Sequence, residues 1–269
     1  MNTTGPTSTR ERSWRARRLD PEHALGLRLT LAATAAFLVL VPFALLALLV
    51  LGAWPPLLRL DASVTDAFHG YALDHPAWVH VMTVWTHALG PGPLRVAAAV
   101  VVVWLLRRGA PRLAVWVVVT MLVGGLLGAL LKLLVGRDRP ELLDPVARAA
   151  GYAFPSGHAL NAALAAGVLL LVFLPFTRDN RAGRVALWTA AALVMVVTGL
   201  SRIALGVHWT SDVVGGWVLG VAVVAATAAG FATWRTSTGR RTARPLREGI
   251  EPELAEPELA EPGPDDRWA

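Results

Sequence analysis

The chain has 269 residues, 55% of them hydrophobic, and its mean hydropathy of +0.51 is too high for an ordinary soluble domain. The formal net charge is +6, and the arginines lie between apolar runs. Membrane topology explains that charge better than nucleic-acid binding, so we expect no nucleic-acid partner. The absence of cysteine excludes disulfide bonds and thiolate metal sites.

The N-terminal part predicts a polar tail followed by a membrane anchor. Residues 1–26 are polar and rich in arginine, which is typical of a cytoplasmic tail. The apolar run Leu27–Leu51 is about long enough to cross a bilayer. No clean A-x-A-like cleavage site follows it, so we interpret it as a retained anchor and not as a secretory signal.

Residues Asp61–Gly90 mix apolar positions at a near-helical period with three aspartates and four histidines. We interpret this segment as one or two interfacial helices, and a seventh spanning helix is the less favoured alternative. The histidines lack the close pairing of a zinc-binding helix, so we expect no metal site there. The sequence Gly90-Pro91-Gly92-Pro93 predicts a turn that closes the segment.

Five further apolar runs predict membrane helices, because only helices and closed barrels satisfy the backbone in lipid. The runs are Leu94–Leu106, Leu113–Leu131, His158–Phe176, Val185–Leu205 and Asp212–Trp234. The predicted fold is therefore an all-α integral membrane bundle of six transmembrane helices, with interfacial helices between the first two spans. The membrane domain would cover residues 27–235, and the acidic, proline-rich residues 236–269 predict a disordered cytoplasmic tail.

The arginines in the connections predict the orientation of this bundle. With six spans, the N-terminal arginines and the clusters at residues 107–112, 178–184 and 235–247 share one side. The positive-inside rule makes that side the cytoplasm, which also places both termini there.

Three polar clusters interrupt the ends of the apolar runs: K-x6-R-P at residues 132–140, P-S-G-H at 155–158 and S-R-x5-H-x3-D at 201–212. Charge at such places is costly unless it has a function. In the six-span layout all three clusters reach the same, non-cytoplasmic face. This common placement predicts that they form one site.

The cations in these clusters suit a phosphate group. Lys132 and Arg139 are seven residues apart, near two helical turns, so both could reach one point from a helix end. With Arg202 they make three cations that can bind phosphate oxygens without requiring a metal. Ser156 is predicted as a helix N-cap, and Gly157 would let phosphate approach the amides of that helix.

The remaining polar residues predict a nucleophile and a general acid. His208 and Asp212 are four residues apart, so we expect them on one helical face, with the carboxylate orienting the imidazole. His208 would then attack phosphorus while His158 protonates the leaving group. Taken singly, these residues could be a helix cap or a structural hydrogen-bonded pair. Arg137, Asp138, Tyr152 and Phe154 flank the site; we interpret them as solvated loop residues, and tuning of substrate fit is the alternative.

Together the three motifs resemble those of the type 2 phosphatidic acid phosphatase superfamily, with all eleven fixed positions present between Lys132 and Asp212. The resemblance covers about Leu27 to Trp234. It implies a six-helix core and metal-independent hydrolysis without a cofactor. It also implies catalytic roles for His158, His208 and Asp212, and phosphate binding by Lys132, Arg139, Ser156, Gly157 and Arg202.

The resemblance and the outward-facing site together suggest a lipid phosphate or diphosphate substrate, foremost undecaprenyl diphosphate, which is released on the outer side of the membrane. Phosphatidylglycerophosphate and phosphatidic acid are the alternatives. A non-catalytic lipid-binding protein of the same fold is a second class of function, and intact His158, His208 and Asp212 argue against it. Soluble haloperoxidases share the motifs, but six spans disfavour that activity. The oligomeric state is left open.

Overall fold

A computed structural model describes residues 40–237, with side chains described to residue 235. The predicted tail 1–26, residues 27–39 of the predicted first span, and residues 238–269 lie outside the described residues. Within the described range all regular elements are helical, which confirms the all-α prediction. They are α1 Leu40–Leu51, α2 Pro55–Asp74, α3 Pro76–Ala88, α4 Pro91–Arg107, α5 Pro111–Val135, α6 Gly157–Phe173, a 3₁₀ turn Leu174–Thr177, α7 Arg181–Ala204 and α8 Thr210–Ser237.

Local sequence signals set most of these boundaries. Helices α2 to α5 each carry proline in their first turn, where the missing amide hydrogen costs nothing. Gly136 ends α5 in the left-handed conformation with φ 60°, a conformation that glycine adopts without strain. Asn180 caps α7 by accepting a hydrogen bond from the Gly183 amide at 2.9 Å.

Five helical segments are long and apolar enough to cross a membrane: Pro76–Arg107, Pro111–Val135, Gly157–Thr177, Arg181–Ala204 and Thr210–Arg235. A sixth is reached if α1 and α2 count as one span, although they meet at an angle of 89°. The multi-span helical bundle is therefore confirmed. Because α2 turns sharply away from α1, it runs across one end of the bundle.

The predicted turn at Gly90–Pro93 is corrected. Helix α4 continues α3 after a short break at Gly90, and together they form one candidate span of 32 residues. The prolines at positions 91 and 93 sit in the first turn of α4, where they start a helix instead of reversing the chain. A span of 32 residues measures about 48 Å, more than the ~30 Å hydrocarbon core, so the interfacial placement of α3 can hold only for part of its length.

Helix α6 lies at the centre of the bundle, between α5, α7 and α8. Glycines on α8 allow its close approach: a Cβ added at Gly220 would lie 2.6 Å from the Ala163 Cβ, and one at Gly216 would lie 2.6 Å from the Ser156 carbonyl oxygen. The first turns of α6 and α8 are thereby held side by side. Both turns carry residues of the predicted site.

The two ends of the bundle differ in charge. One end gathers the C-terminal ends of α5 and α7 and the N-terminal ends of α6 and α8, where the three clusters lie. The other end carries the arginines at the remaining helix ends, namely Arg107, Arg108, Arg112, Arg178, Arg181, Arg184 and Arg235. The described part of the chain thus separates the predicted site from most of its other cations.

Candidate active site

The three predicted clusters meet at one point. Arg139 of the first cluster lies 3.1 Å from the Nε2 atom of His208 in the third. The amide of Ser156, in the second cluster, donates to the Asp212 carbonyl oxygen at 2.9 Å. Arg202, His208 and Asp212 are 7%, 2% and 0% exposed. Residues from three distant parts of the chain therefore share one buried polar centre.

His208 and Asp212 form the expected pair, but not on one helical face. His208 precedes α8, and Asp212 sits in the first turn of that helix. The Asp212 carboxylate accepts hydrogen bonds from the Trp209 amide at 2.9 Å and from Nδ1 of His208 at 3.3 Å. Asp212 is the third residue of α8, and its carboxylate reaches back to the amide of Trp209, the residue that precedes the helix. The turn before α8 therefore brings His208 and Asp212 together.

The hydrogen bonds define which nitrogen of His208 is free to react. A guanidinium only donates, so Nε2 accepts from Arg139, and Nδ1 then carries the proton that faces Asp212. Burial lowers the pKa of His208 to about 4. The hydrogen bond and charge of Asp212 oppose that shift, and Arg139 and Lys132 add to it. The imidazole is thus neutral near pH 7, as a nucleophile must be.

Arg139 does not extend from the same helix as Lys132, as the spacing suggested. Helix α5 ends at Val135, and Arg139 folds back from the following loop. Its guanidinium donates to the carbonyl oxygens of Gly151 at 2.7 Å and Val207 at 2.6 Å, besides His208. Burial lowers its pKa, and the charge of Asp212 opposes that shift.

Lys132 stands at the last turn of α5, beside the N-terminus of α6. Its Nζ atom donates to the Tyr152 carbonyl oxygen at 2.6 Å. A Cβ added at Gly157 would lie 3.9 Å from Cε of Lys132, so the lysine stem passes the first residue of α6. The ammonium and the positive end of the α6 dipole therefore favour an anion in the same place.

Arg202 reaches the site from the last turn of α7. Its Nη1 atom donates to the Thr86 hydroxyl on α3 at 2.9 Å, while its buried Nε atom has no hydrogen-bond partner among the described residues. One turn earlier on α7, Thr198 accepts a hydrogen bond from the Trp85 indole at 3.1 Å. Helix α3 thereby orients Arg202, a role that sequence analysis did not give it.

Ser156 occupies the N-cap position of α6 as predicted, but its hydroxyl does not cap the helix. The buried Oγ atom has no hydrogen-bond partner within the described part of the chain. His158 follows two residues later, and a Cβ added at Gly90 would lie 3.4 Å from its Nε2 atom. Ser156 and His158 thus both lie at the N-terminus of α6, where the helix dipole and the first amides favour an anion.

Two further charged residues of the site, Arg137 and Asp61, were not predicted from the sequence. Arg137, interpreted as a loop residue, is 11% exposed in its side chain and forms ion pairs of 2.7 Å with both Asp61 and Asp212. Asp61, on α2, is 1% exposed. The available signal was a lone carboxylate near the start of an apolar helical pattern, but its partner lies 76 residues away in the chain.

Within residues 40–237 no group of three or more histidine, aspartate or glutamate side chains is placed to hold a metal ion. The polar groups around His208 are instead one carboxylate and a set of cations. This donor set suits an anion with several oxygens.

Comparison with known proteins agrees with this chemistry. Residues 113–236 match the family model described as the PAP2 superfamily, and all three clusters lie within that range. Phosphatidylglycerophosphatase B of Bacillus subtilis (strain 168) is 36% identical over 99 residues, which are 36% of this chain and 47% of that protein. An undecaprenyl-diphosphatase of Sulfolobus acidocaldarius is 28% identical over 123 residues, which are 43% of this chain and 54% of that protein.

The chain therefore spans about half the length of the curated relatives it matches. The fold has a solved counterpart, the crystal structure of a transmembrane PAP2-type phosphatidylglycerolphosphate phosphatase from Bacillus subtilis. The two structures agree with a TM-score of 0.60 at 25% identity, over 76% of this chain and 98% of the other.

Proposed function

We propose that this chain, of which residues 113–236 match the PAP2 superfamily model, is a multi-pass membrane phosphatase that hydrolyses a lipid phosphate or diphosphate through a phosphohistidine. One observation carries the proposal. A neutral imidazole, oriented by a buried carboxylate, lies 3.1 Å from a guanidinium, and two buried polar atoms of the same clusters, Ser156 Oγ and Arg202 Nε, have no hydrogen-bond partner among residues 40–237.

The phosphate would bind between the three cations and the first turn of α6. Lys132, Arg139 and Arg202 neutralise its charge, and Ser156 Oγ with the free amides at Gly157 donates to its oxygens. The Arg139 N–H that now points at Nε2 of His208 would turn to a phosphate oxygen, which frees the imidazole lone pair. The same cations then stabilise the charge that builds on the equatorial oxygens in the transition state.

The reaction would proceed in two displacements. Nε2 of His208 attacks phosphorus, the bond from phosphorus to the leaving oxygen breaks, and His158 gives that oxygen a proton. Water then attacks the phosphohistidine, His158 takes a proton from this water, and the bond between phosphorus and Nε2 breaks. Asp212 holds the Nδ1 proton throughout and stabilises positive charge on the ring.

The charge distribution supports a site on the outer face. The arginines at the opposite end of the bundle mark that end as cytoplasmic by the positive-inside rule. A headgroup could then enter from the outer leaflet while its tail stays in lipid. A thiol probe on a cysteine introduced at Asp74, the exposed last residue of α2, should label intact cells from outside. Labelling only after permeabilisation would reverse the orientation.

Two substrates follow from different observations. An outward-facing site favours a polyprenyl diphosphate such as undecaprenyl diphosphate, and one relative is named undecaprenyl-diphosphatase. Phosphatidylglycerophosphate is the second candidate, because a 36% identical relative and the solved counterpart carry that name. Comparison of kcat/KM on both lipids and on phosphatidic acid, with one enzyme preparation in detergent, decides between them.

Release of inorganic phosphate from these lipids in the presence of EDTA tests the reaction itself. We expect turnover by the wild-type protein and a loss of about 10⁴-fold or more in His208→Gln, because no nucleophile remains. Arg148 is an exposed arginine of the loop between α5 and α6, which also carries Arg139. The variant Arg148→Gln is the control and should turn over substrate as the wild type does. Binding of the lipids without any phosphate release would favour a non-catalytic lipid-binding protein.

A further inference from the structure

Two further buried charged residues, Arg137 and Asp61, lie behind Asp212, on the side away from His208 and the proposed phosphate position. Nη1 of Arg137 donates to Oδ1 of Asp212 at 2.7 Å and to the Ser211 hydroxyl at 2.6 Å. Nη2 of the same guanidinium donates to Oδ2 of Asp61 at 2.7 Å. One planar group therefore joins two carboxylates that come from opposite ends of the described chain.

Asp61 holds this arrangement from helix α2. Its carboxylate also accepts hydrogen bonds from the Ser211 amide at 2.9 Å and the Ser211 hydroxyl at 2.5 Å. Ser211 lies in the first turn of α8, next to Asp212. Asp61 thus fixes both the start of α8 and the far side of the Arg137 fork. The guanidinium in turn lies 5.5 Å from the centre of the Trp209 ring.

The two oxygens of Asp212 have separate tasks in this geometry. Oδ1 is bound by Arg137, whereas Oδ2 faces the Trp209 amide and Nδ1 of His208. A carboxylate held at one oxygen by a rigid fork cannot rotate its other oxygen away from the imidazole. Within the described residues, the side-chain hydrogen bonds of Arg137 and Asp61 go to Asp212, Ser211 and each other, and not to the proposed phosphate-binding residues.

We propose that Arg137, held by Asp61, is a positioning residue that aims the Asp212 carboxylate at His208 and sets how much of its negative charge the imidazole feels. The inference rests on the proposed phosphatase function. A bundle that needed only stability would not need this pair, because buried ion pairs add little stability over apolar packing. Stability alone therefore does not account for Arg137, and we assign it a role in the reaction.

Loss of charge at Arg137 or Asp61 should change the pKa of His208 in opposite directions, which a purely structural role of the two residues would not produce. The charged or titratable groups that act on His208 are Asp212 on α8, Arg139 in the loop after α5, Lys132 on α5 and His158 on α6. Arg202 on α7 and His87 on α3 act on His158, and Arg137 and Asp61 act on His208 through Asp212. Removing the positive charge of Arg137 lets Asp212 act on His208 unopposed, which raises the pKa of His208. Removing the negative charge of Asp61 acts in the opposite direction.

The test is a ¹⁵N NMR titration of histidine-labelled protein in detergent, with the His208 signals identified by their loss in His208→Gln. Arg137→Gln should raise the pKa of His208 by roughly one unit. The pKa of His208 should be lower in the double variant Asp61→Asn/Arg137→Gln than in Arg137→Gln. Arg137→Lys keeps the positive charge but loses the two-pronged guanidinium. The pKa of His208 in this variant should therefore stay near the wild-type value. Arg148→Gln is the control.

Turnover gives an independent readout. We expect Arg137→Gln to lower kcat about 10- to 100-fold while KM changes less than about threefold, because the variant misplaces Asp212 without touching phosphate. Arg137→Lys should recover only part of kcat.

An unchanged pKa of His208 in folded Arg137→Gln, or equal shifts in the single and double variants, would overturn the inference. If Arg137→Gln does not fold, Arg137→Lys and Asp61→Asn decide it by the same two measurements. Absence of turnover by the wild-type protein would instead refute the proposed function, and the titration would still decide whether Arg137 controls His208.

Discussion

The two sides of the His208 ring are built differently. On the Nδ1 side, Asp212, Arg137 and Asp61 form a closed series of ion pairs at 2.7 Å, each member fixed by a further hydrogen bond. On the Nε2 side, Arg139 touches the ring at 3.1 Å, while Ser156 Oγ and Arg202 Nε have no partner among the described residues. The polar groups on the Nδ1 side are hydrogen-bonded to one another, and we call this the saturated side. The Nε2 side, which we call the open side, keeps hydrogen-bond donors for a ligand.

This difference separates positioning from binding. Groups on the saturated side hold one geometry before any substrate arrives, so their loss should appear in kcat. Groups on the open side must exchange protein contacts for phosphate oxygens, so their loss should appear in substrate binding as well. Substitutions on each side, and far from both, can test that division.

Replacement of Arg139 by alanine should have the largest effect of the three substitutions below. It removes a phosphate cation and the contact to Nε2 of His208, so we expect kcat/KM to fall about 10²- to 10³-fold, with KM raised. Steady-state kinetics on the preferred lipid measures this. A fall in kcat alone would place Arg139 with the saturated side and contradict the division.

Replacement of Thr86 by valine should have a smaller effect on the same side. The change preserves shape but removes the hydroxyl that accepts from Arg202 at 2.9 Å, so the guanidinium loses its anchor on α3. We expect roughly a tenfold loss of kcat/KM, mainly through KM. Thr198→Val, which breaks the neighbouring bond to Trp85, is the matched comparison on α7. A larger effect from Thr198→Val would show that helix docking matters more than the anchor.

Replacement of Thr120 by valine should leave turnover unchanged. The Thr120 and Thr227 hydroxyls lie 2.9 Å apart between α5 and α8, and one of them donates to the other. In the variant Thr227 can donate to the Val223 carbonyl oxygen of its own helix at 2.8 Å, so its hydroxyl keeps a partner. We expect the melting temperature in detergent to fall by about 1–3 °C. A tenfold loss of kcat would mean that the bundle interior is coupled to the site.

The sequence predicted which residues of the site lie at the same end of the bundle, because successive membrane helices run in opposite directions. Each crossing switches sides. The first and second clusters flank one connection, and two helices, α6 and α7, separate the second cluster from the third, so all three had to share an end of the bundle. The residues that meet at His208, including Arg139 and Asp212, follow from that topology. Local geometry was predicted less well, because Gly136 ends α5 before Arg139 and the turn at Trp209 places His208 outside α8.

The support behind Asp212 could not be predicted in the same way. Asp61 reaches Arg137 only because α2 bends by 89° from α1 and lies across the end of the bundle. Apolar periodicity describes the faces of a helix and not its direction, so it indicated an interfacial helix without naming its contacts. The break at Gly90 was misjudged for a related reason, since proline both ends and begins helices.

The central claim is that Nε2 of His208 becomes covalently bound to phosphorus. The most direct measurement is rapid quenching of the wild-type protein and of His208→Gln after mixing with ³²P-labelled lipid phosphate. The account predicts protein-bound label that is stable in base, lost in acid, located on the peptide containing His208 and absent from the variant. Turnover without any labelled protein, or equal label on His208→Gln, would contradict it.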